Sequence, residues 1–140
     1  MNNKKFKYIL AFLGVLAVML FFVLKQMNQE HVDVKKTAPD MIIAVDEILS
    51  DYQNDEEKAN SRFTDKIIQL KGVISKISTQ NDNATVTLMS PNFDATVICS
   101  FQSEESLSVL KYEEGGEISL KGICKGYLLD VILVNCVLIK

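Results

Sequence analysis

Hydrophobic and polar positions fall into three regimes along the chain. Positions 8–24, YILAFLGVLAVMLFFVL, carry no charge and no Pro. Residues 26–39, QMNQEHVDVKKTAP, are polar with scattered valines and no clear period. From Asp40 the spacing turns helical. Ile42, Val45, Ile48, Leu49 and Tyr52 recur at three and four, which predicts a helix with Pro39 near its first turn and Asp40 as its cap. Asn54 and Glu57 have the spacing of a capping box, and Ala59 and Phe63 are four apart, so a second short helix is expected.

After Phe63-Thr64-Asp65 the period becomes two, the mark of half-buried strands. Ile68 and Leu70 alternate with polar residues, Gly72 intervenes, and Val73 and Ile77 continue the run. A polar turn at 79–84 leads to Val86 and Leu88, and a second turn, SPNFD at 90–94, leads to Ala95, Val97, Cys99 and Phe101 on one face. Residues 102–114 hold charges around Leu107 and Leu110 and suggest a helical turn, closed by Gly115-Gly116. Ile118, Leu120, Gly122 and Cys124 define the next strand, and 127–139 is densely apolar, broken by Asp130 and Asn135.

Five or six strands at this spacing predict a small sandwich or barrel. QLKGVISKI at 69–77 and SLKGICKGY at 119–127 choose between them, since each places Leu-Lys-Gly inside an alternating strand. A five-stranded barrel of the OB type must bend its long strands, and a glycine or bulge lets it do so. The first and fourth strands of such a barrel are neighbours, with a helical segment between the third and fourth. The expected fold is therefore mainly β: an OB barrel over 65–140, preceded by a helical lead-in over 40–64.

The apolar run changes the picture of location. Its 17 residues span about 26 Å as a helix, near the roughly 30 Å of a hydrocarbon core. Its exit, FFVLKQMNQE, has no small-x-small cleavage pattern and no Cys for a lipoprotein-type anchor. Residues 8–25 are thus expected to be an uncleaved signal anchor and 26–39 a linker. Lys4, Lys5 and Lys7 precede the run, so residues 1–7 are expected in the cytoplasm and the C-terminal domain outside it, in the periplasm or at the cell exterior.

Charge narrows the partners. Residues 26–140 hold 11 of the 15 Lys and Arg and all 18 Asp and Glu, a formal charge of −7. That domain lacks the basic footprint of a nucleic-acid binder. The groups that could form one are Lys71, Lys76, Lys121 and Lys125 with Phe101 and Tyr127. Single-stranded nucleic acid is the alternative ligand, not the expected one.

Residues 44–139 resemble the tRNA_anti-like family, OB-fold domains of bacterial membrane-anchored and lipoprotein-type proteins. The resemblance rests on the lead-in AVDEILSDYQNDEEKANSRF, then KIIQLKGV, VICSF, GGEISLKGICKGY and DVILVNCVLI in order. It implies the fold and brings no catalytic residues to carry over. Cys124 and Cys136 recur in that family and lie on consecutive strand segments, which makes them the favoured disulfide pair; simple burial is the rival reading.

No enzymatic constellation stands out. The single histidine, His31, lies in the linker, so a Ser-His or Cys-His pair is not expected in the domain. Cys99, Cys124 and Cys136 form no CxxC and give no zinc spacing, so neither metal nor cofactor is expected. Glu56-Glu57, Glu104-Glu105 and Glu113-Glu114 read as solvated surface, and Gly115-Gly116 lacks the Lys and spacing of a phosphate loop. Asn83-Ala84-Thr85 is a formal glycosylation sequon that marks an exposed turn. What remains is binding. The usual ligand face of an OB barrel, its second and third strands with the loops beside them, maps to Lys76, Thr85, Thr87, Met89, Phe93, Thr96 and Ile98 with loops 79–84 and 90–94. An envelope protein, a peptide or a glycan is the expected partner, beside the membrane itself.

Overall fold

The computed structural model describes residues 3–27 and 32–140, which divide into a helix and a compact domain beginning at Asp33. His31 and most of residues 26–31 lie outside the described residues. Helix α1, Asn3–Met27, has 25 residues, and its described side chains are exposed on every face. Residues Asn3–Gln26 are long and apolar enough to cross a bilayer. A surface apolar on every face, as along residues 8–24, is what lipid contact asks of a helix.

The domain starts earlier than the expected linker allows. Residues 33–37 form a turn in which the Asp33 carbonyl accepts from the amides of Lys36 and Thr37, both at 3.1 Å. Val34 is buried with Ile67 and Val137. Lys121, itself buried, donates its Nζ to the Thr37 carbonyl at 2.8 Å and the Lys35 carbonyl at 3.3 Å. Residues 33–39 are therefore part of the folded domain rather than of a linker.

The expected helix from Asp40 is also shortened. Strand β1, Met41–Ala44, precedes helix α2, Val45–Asn54. The Ile42-Ile43 pair favours extended backbone, and β1 runs parallel to β2, Ile67–Gln80. Asp40 caps no helix; its carboxylate accepts from the Ile67 amide at 2.8 Å. Ile42 points outward, 70% exposed, whereas Val45, Ile48, Leu49 and Tyr52 form the buried stripe of α2. Helix α3, Glu56–Phe63, buries Ala59 and Phe63 as their spacing predicts. Its cap is Asp55, whose carboxylate accepts from the Lys58 amide at 3.0 Å, because Asn54 is still the last residue of α2.

Strands β3 (Asn83–Met89), β4 (Val97–Phe101), β5 (Glu117–Tyr127) and β6 (Val131–Leu138) complete the sheet with β2. The order β2-β3-β4-β6-β5 closes through a β2–β5 pairing, with β4–β6 parallel and the other ladders antiparallel. This is the expected five-stranded OB barrel, with β1 as an additional strand. Helix α4, Ser103–Val109, fills the gap before β5, but it buries Ser106 and Val109 and leaves Leu107 exposed.

The two Leu-Lys-Gly glycines sit where the barrel closes. Gly72 lies where β2 changes partner: residues up to Val73 pair with β5, and residues from Val73 onward pair with β3. Gly122 lies opposite Ile68 on the same ladder. Register shifts flank both, between Ile74 and Lys76 and between Lys121 and Ile123, so the bends are bulges. The glycines supply room. A Cβ on Gly72 would approach Val45 Cγ2 to 2.5 Å, and one on Gly122 would approach Cys136 Sγ to 2.5 Å.

Candidate functional site

The outer face of β2, β3 and β4 brings together most of the residues singled out from the sequence. Lys76 pairs with Thr87, and Thr87 with Ile98, so these three form one row across three strands. Thr85 lies between Ser78 and Ser100 in the next row. Met89, 42% exposed, ends the face opposite Val73. Two expected members do not join it. Phe93 packs against the hydrophobic core. Thr96 donates both its amide (2.7 Å) and its hydroxyl (2.9 Å) to Asp130 Oδ1, which locks the β3–β4 loop to the β5–β6 loop.

Thr85 also lines a groove of about 300 Å³ at one end of this face. The Gln80-Asn81 side of the β2–β3 turn forms one bank, with Asn83, Ala84 and Thr85 at the start of β3. Ser100, Phe101 and Gln102 at the end of β4 form the other, and Val134 and Asn135 of β6 close it. Local backbone chemistry builds each bank. Asn81 and Asp82 both adopt positive φ (50° and 65°), which makes the tight hairpin turn that Asn and Asp tolerate best. Asn135 has φ 53° beside the β4–β6 and β5–β6 irregularities. Its Oδ1 accepts from Gln102 Nε2 at 2.8 Å. The Ser106 hydroxyl accepts from the Ala84 amide (2.7 Å) and donates to the Gln102 carbonyl (2.9 Å), so α4 holds the two banks together.

The polar lining is uncharged. Gln80, Asn81, Asn83, Thr85 and Ser100 have no side-chain hydrogen bond among the described residues, and the Gln102–Asn135 pair leaves one carbonyl and one amide nitrogen unused. These groups offer both donors and acceptors. The turn at 79–84 was legible as a loop beside the ligand face, whereas Ser100, Gln102, Val134 and Asn135 were not. Asn135 did leave a signal, as a polar interruption in an apolar strand.

The groups considered for nucleic-acid binding are dispersed. Lys71 pairs with Glu117 at 3.1 Å and Lys125 with Asp65 at 2.7 Å, while Lys121 is buried on backbone carbonyls. Lys76 has no ion pair among the described residues. Phe101 is 1% exposed, and Tyr127 stacks on Tyr52 at 5.2 Å.

The favoured pair, Cys124 and Cys136, forms no bridge; all three cysteines are free and buried, as the rival reading has it. The register explains it: Cys124 faces Leu133, while Cys136 lies further along β6 beside Gly122 and Cys99. Cys124 Sγ sits 3.7 Å from Tyr52 Oη. Burial pushes the Cys124 thiol up, and burial reinforced by Cys99 pushes Cys136 well above the usual thiol range. Tyr52 is raised by burial and by Cys124. Among the described residues no cluster of three His, Cys, Asp or Glu side chains could hold a metal ion.

A second cavity, about 290 Å³, lies between α2 and α3 and is lined by Asp51, Asn54, Asp55, Lys58, Ala59 and Arg62. Here the Arg62 charge is met by its neighbours. The Arg62 guanidinium donates to Asp51 and to Glu47 (3.2 Å) and lies over the Phe63 ring at 4.8 Å.

In fold, the chain is similar to a lipoprotein of Klebsiella pneumoniae described as a candidate nucleic acid-binding protein, with TM-score 0.61 and 19% identity over 71% of this chain and 92% of that one. It also overlays on the aspartyl-tRNA synthetase of Entamoeba histolytica (TM-score 0.48, 10% identity, 74% of this chain), of which it spans 22%. A third likeness is to the Stn1–Ten1 complex of S. pombe (TM-score 0.43, 16% identity, 49% of this chain and 53% of that one). Among curated proteins, none matches the chain in sequence. The family model for tRNA_anti-like proteins matches residues 1–138, and the chain belongs to that family.

Proposed function

We propose that this protein is a non-enzymatic binding module, anchored by α1 at the cell envelope, that takes its ligand in the groove at the end of the β2–β3–β4 face. One observation carries this reading: a groove walled by seven polar side chains, none ionisable, of which five have no protein partner among the described residues. Such a lining suits recognition by hydrogen bonding. It holds the Thr85 and Ser100 hydroxyls but no ionisable side chain to activate them as an acid or base would. The lysines at the start of α1, ahead of its apolar run, support an orientation with the domain outside the cytoplasm.

Single-stranded nucleic acid is the second reading, favoured by the description of the Klebsiella lipoprotein and by Lys76 beside Thr87 and Ile98. Amide side chains also read base edges.

The test is site-specific photo-crosslinking from the full chain in its own membrane. A photoreactive residue at Thr85 is expected to capture a partner that one at Lys58, in the α2–α3 cavity, does not. Equal capture from both positions contradicts the reading. Recovery of RNA from Thr85 selects the second one.

A further inference from the structure

Resting on the groove reading above, we propose that the ligand is a neutral oligosaccharide. Two features count against a nucleic-acid strand and a third against an extended peptide.

Charge is the first. A nucleic-acid strand brings a phosphate with every nucleotide and draws most of its affinity from cations that neutralise it. The groove lining contains no cation, and residues 26–140 carry a formal charge of −7. Stacking is the second. Single-strand binders present exposed aromatic rings on which bases lie. The aromatic residue in the lining, Phe101, is 1% exposed and belongs to the core. Strand edges are the third. An extended peptide is commonly held by main-chain pairing along an open strand. Here β3 is paired with β2 and β4, and β4 with β3 and β6, so the walls offer no free edge.

What the groove does offer matches a sugar chain. A hydroxyl both donates and accepts, and so do the amide and hydroxyl side chains of Asn83, Thr85, Ser100, Gln102 and Asn135. Acetamido groups on the sugar would pair with the same amides. The groove volume, about 300 Å³, is at the lower end of ligand sites and fits a short stretch of chain.

The experiment is a titration of the isotope-labelled full chain, in detergent micelles, followed by amide chemical shifts. The probes are chitotetraose and maltotetraose, with a thymidine decanucleotide and a galacturonic acid tetramer as charged counterparts. At least one neutral sugar is expected to shift Asn83, Ser100, Gln102 and Asn135 while leaving Asp51 and Arg62 unmoved, with an affinity that does not change with salt. Gln102→Ala and the near-isosteric Thr85→Val are each expected to weaken that binding about fivefold to tenfold, the range of one lost hydrogen bond. The shift dispersion of each free variant reports its folding. Silence towards both neutral sugars overturns the proposal, as does groove binding confined to the decanucleotide or the galacturonate. If the sugars are silent while Thr85 still captures a partner in the membrane, the ligand class alone fails. If Thr85 and Lys58 capture alike, the groove reading itself fails.

Discussion

The barrel groove and the cavity between α2 and α3 have nearly the same volume and opposite chemistry. The cavity between α2 and α3 is lined by Asp51, Asp55, Lys58 and Arg62, and its central cation is held by Asp51, Glu47 and the Phe63 ring. The polar lining of the barrel groove consists of amides and hydroxyls, most of which have no side-chain hydrogen bond among the described residues. Charge therefore marks the place where the fold closes on itself. Neutral polar groups mark the place left open.

Phe101 lines the groove and Phe63 lies under Arg62 of the other cavity; both are fully buried, and removing either gives the largest expected effect. Phe101→Ala and Phe63→Ala should each lower stability by about 3–5 kcal/mol, the usual loss for an aromatic core residue. Denaturant unfolding of the full chain checks this. The comparison predicts that a partly folded Phe101→Ala loses Thr85 crosslinks, whereas Phe63→Ala keeps them.

Overpacking comes next. Gly122→Ala places a methyl 2.5 Å from Cys136 Sγ and 3.1 Å from the Val134 carbonyl, on the strand that closes the groove. A loss of about 1–3 kcal/mol is expected, as for other insertions into a packed core. Adding Cys136→Ala should recover part of it, and strict additivity of the two substitutions would show that the thiol is not the obstacle.

The alkaline limb of stability follows from the buried thiols. Cys124 and Cys136 have raised pKa values in the folded chain, so they stay protonated there while the unfolded thiols ionise near about 8.5. The unfolded state then binds fewer protons, and stability falls as pH rises from that value towards the folded ones. Denaturation midpoints at neutral and alkaline pH should show the decline, and Cys136→Ala should make it shallower. An unchanged slope would mean that this thiol is not held protonated by the fold.

The smallest effect sharpens the contrast most. Arg62→Gln should cost at most about 1 kcal/mol, because its ion pairs are half exposed, and the cost should shrink in high salt. It should leave capture from Thr85 untouched. Gln102→Ala should do the reverse, with stability nearly unchanged and capture reduced.

Much of the architecture was legible in the residues. Gly72 and Gly122 announced two bent neighbouring strands because room for a close approach can be met only by the residue without a Cβ. Val45, Ile48, Leu49 and Tyr52 announced α2 by their spacing. Ile42 misled, since a β-branched residue in register with a helical stripe looks the same whether it joins the helix or an edge strand. The packing of Val34 on Ile67 and Val137, and the bonds from Lys121 to the Lys35 and Thr37 carbonyls, were illegible because each is a tertiary event between distant segments. The site was half legible. The turn at 79–84 and Thr85 follow from strand order, but Gln102 and Asn135 meet only because β4 and β6 run parallel and irregular there. The choice between a Cys124–Cys136 bridge and simple burial stayed open for the same reason: neighbouring segments do not determine register.

Hydrogen–deuterium exchange of the full chain, in its own membranes and after purification into detergent, tests the central claim most directly. A ligand held in the neutral groove predicts slower exchange in the membranes at residues 80–85, 100–102 and 134–135, with residues 51–62 unchanged. Protection confined to 51–62, or no difference at the groove, would contradict it.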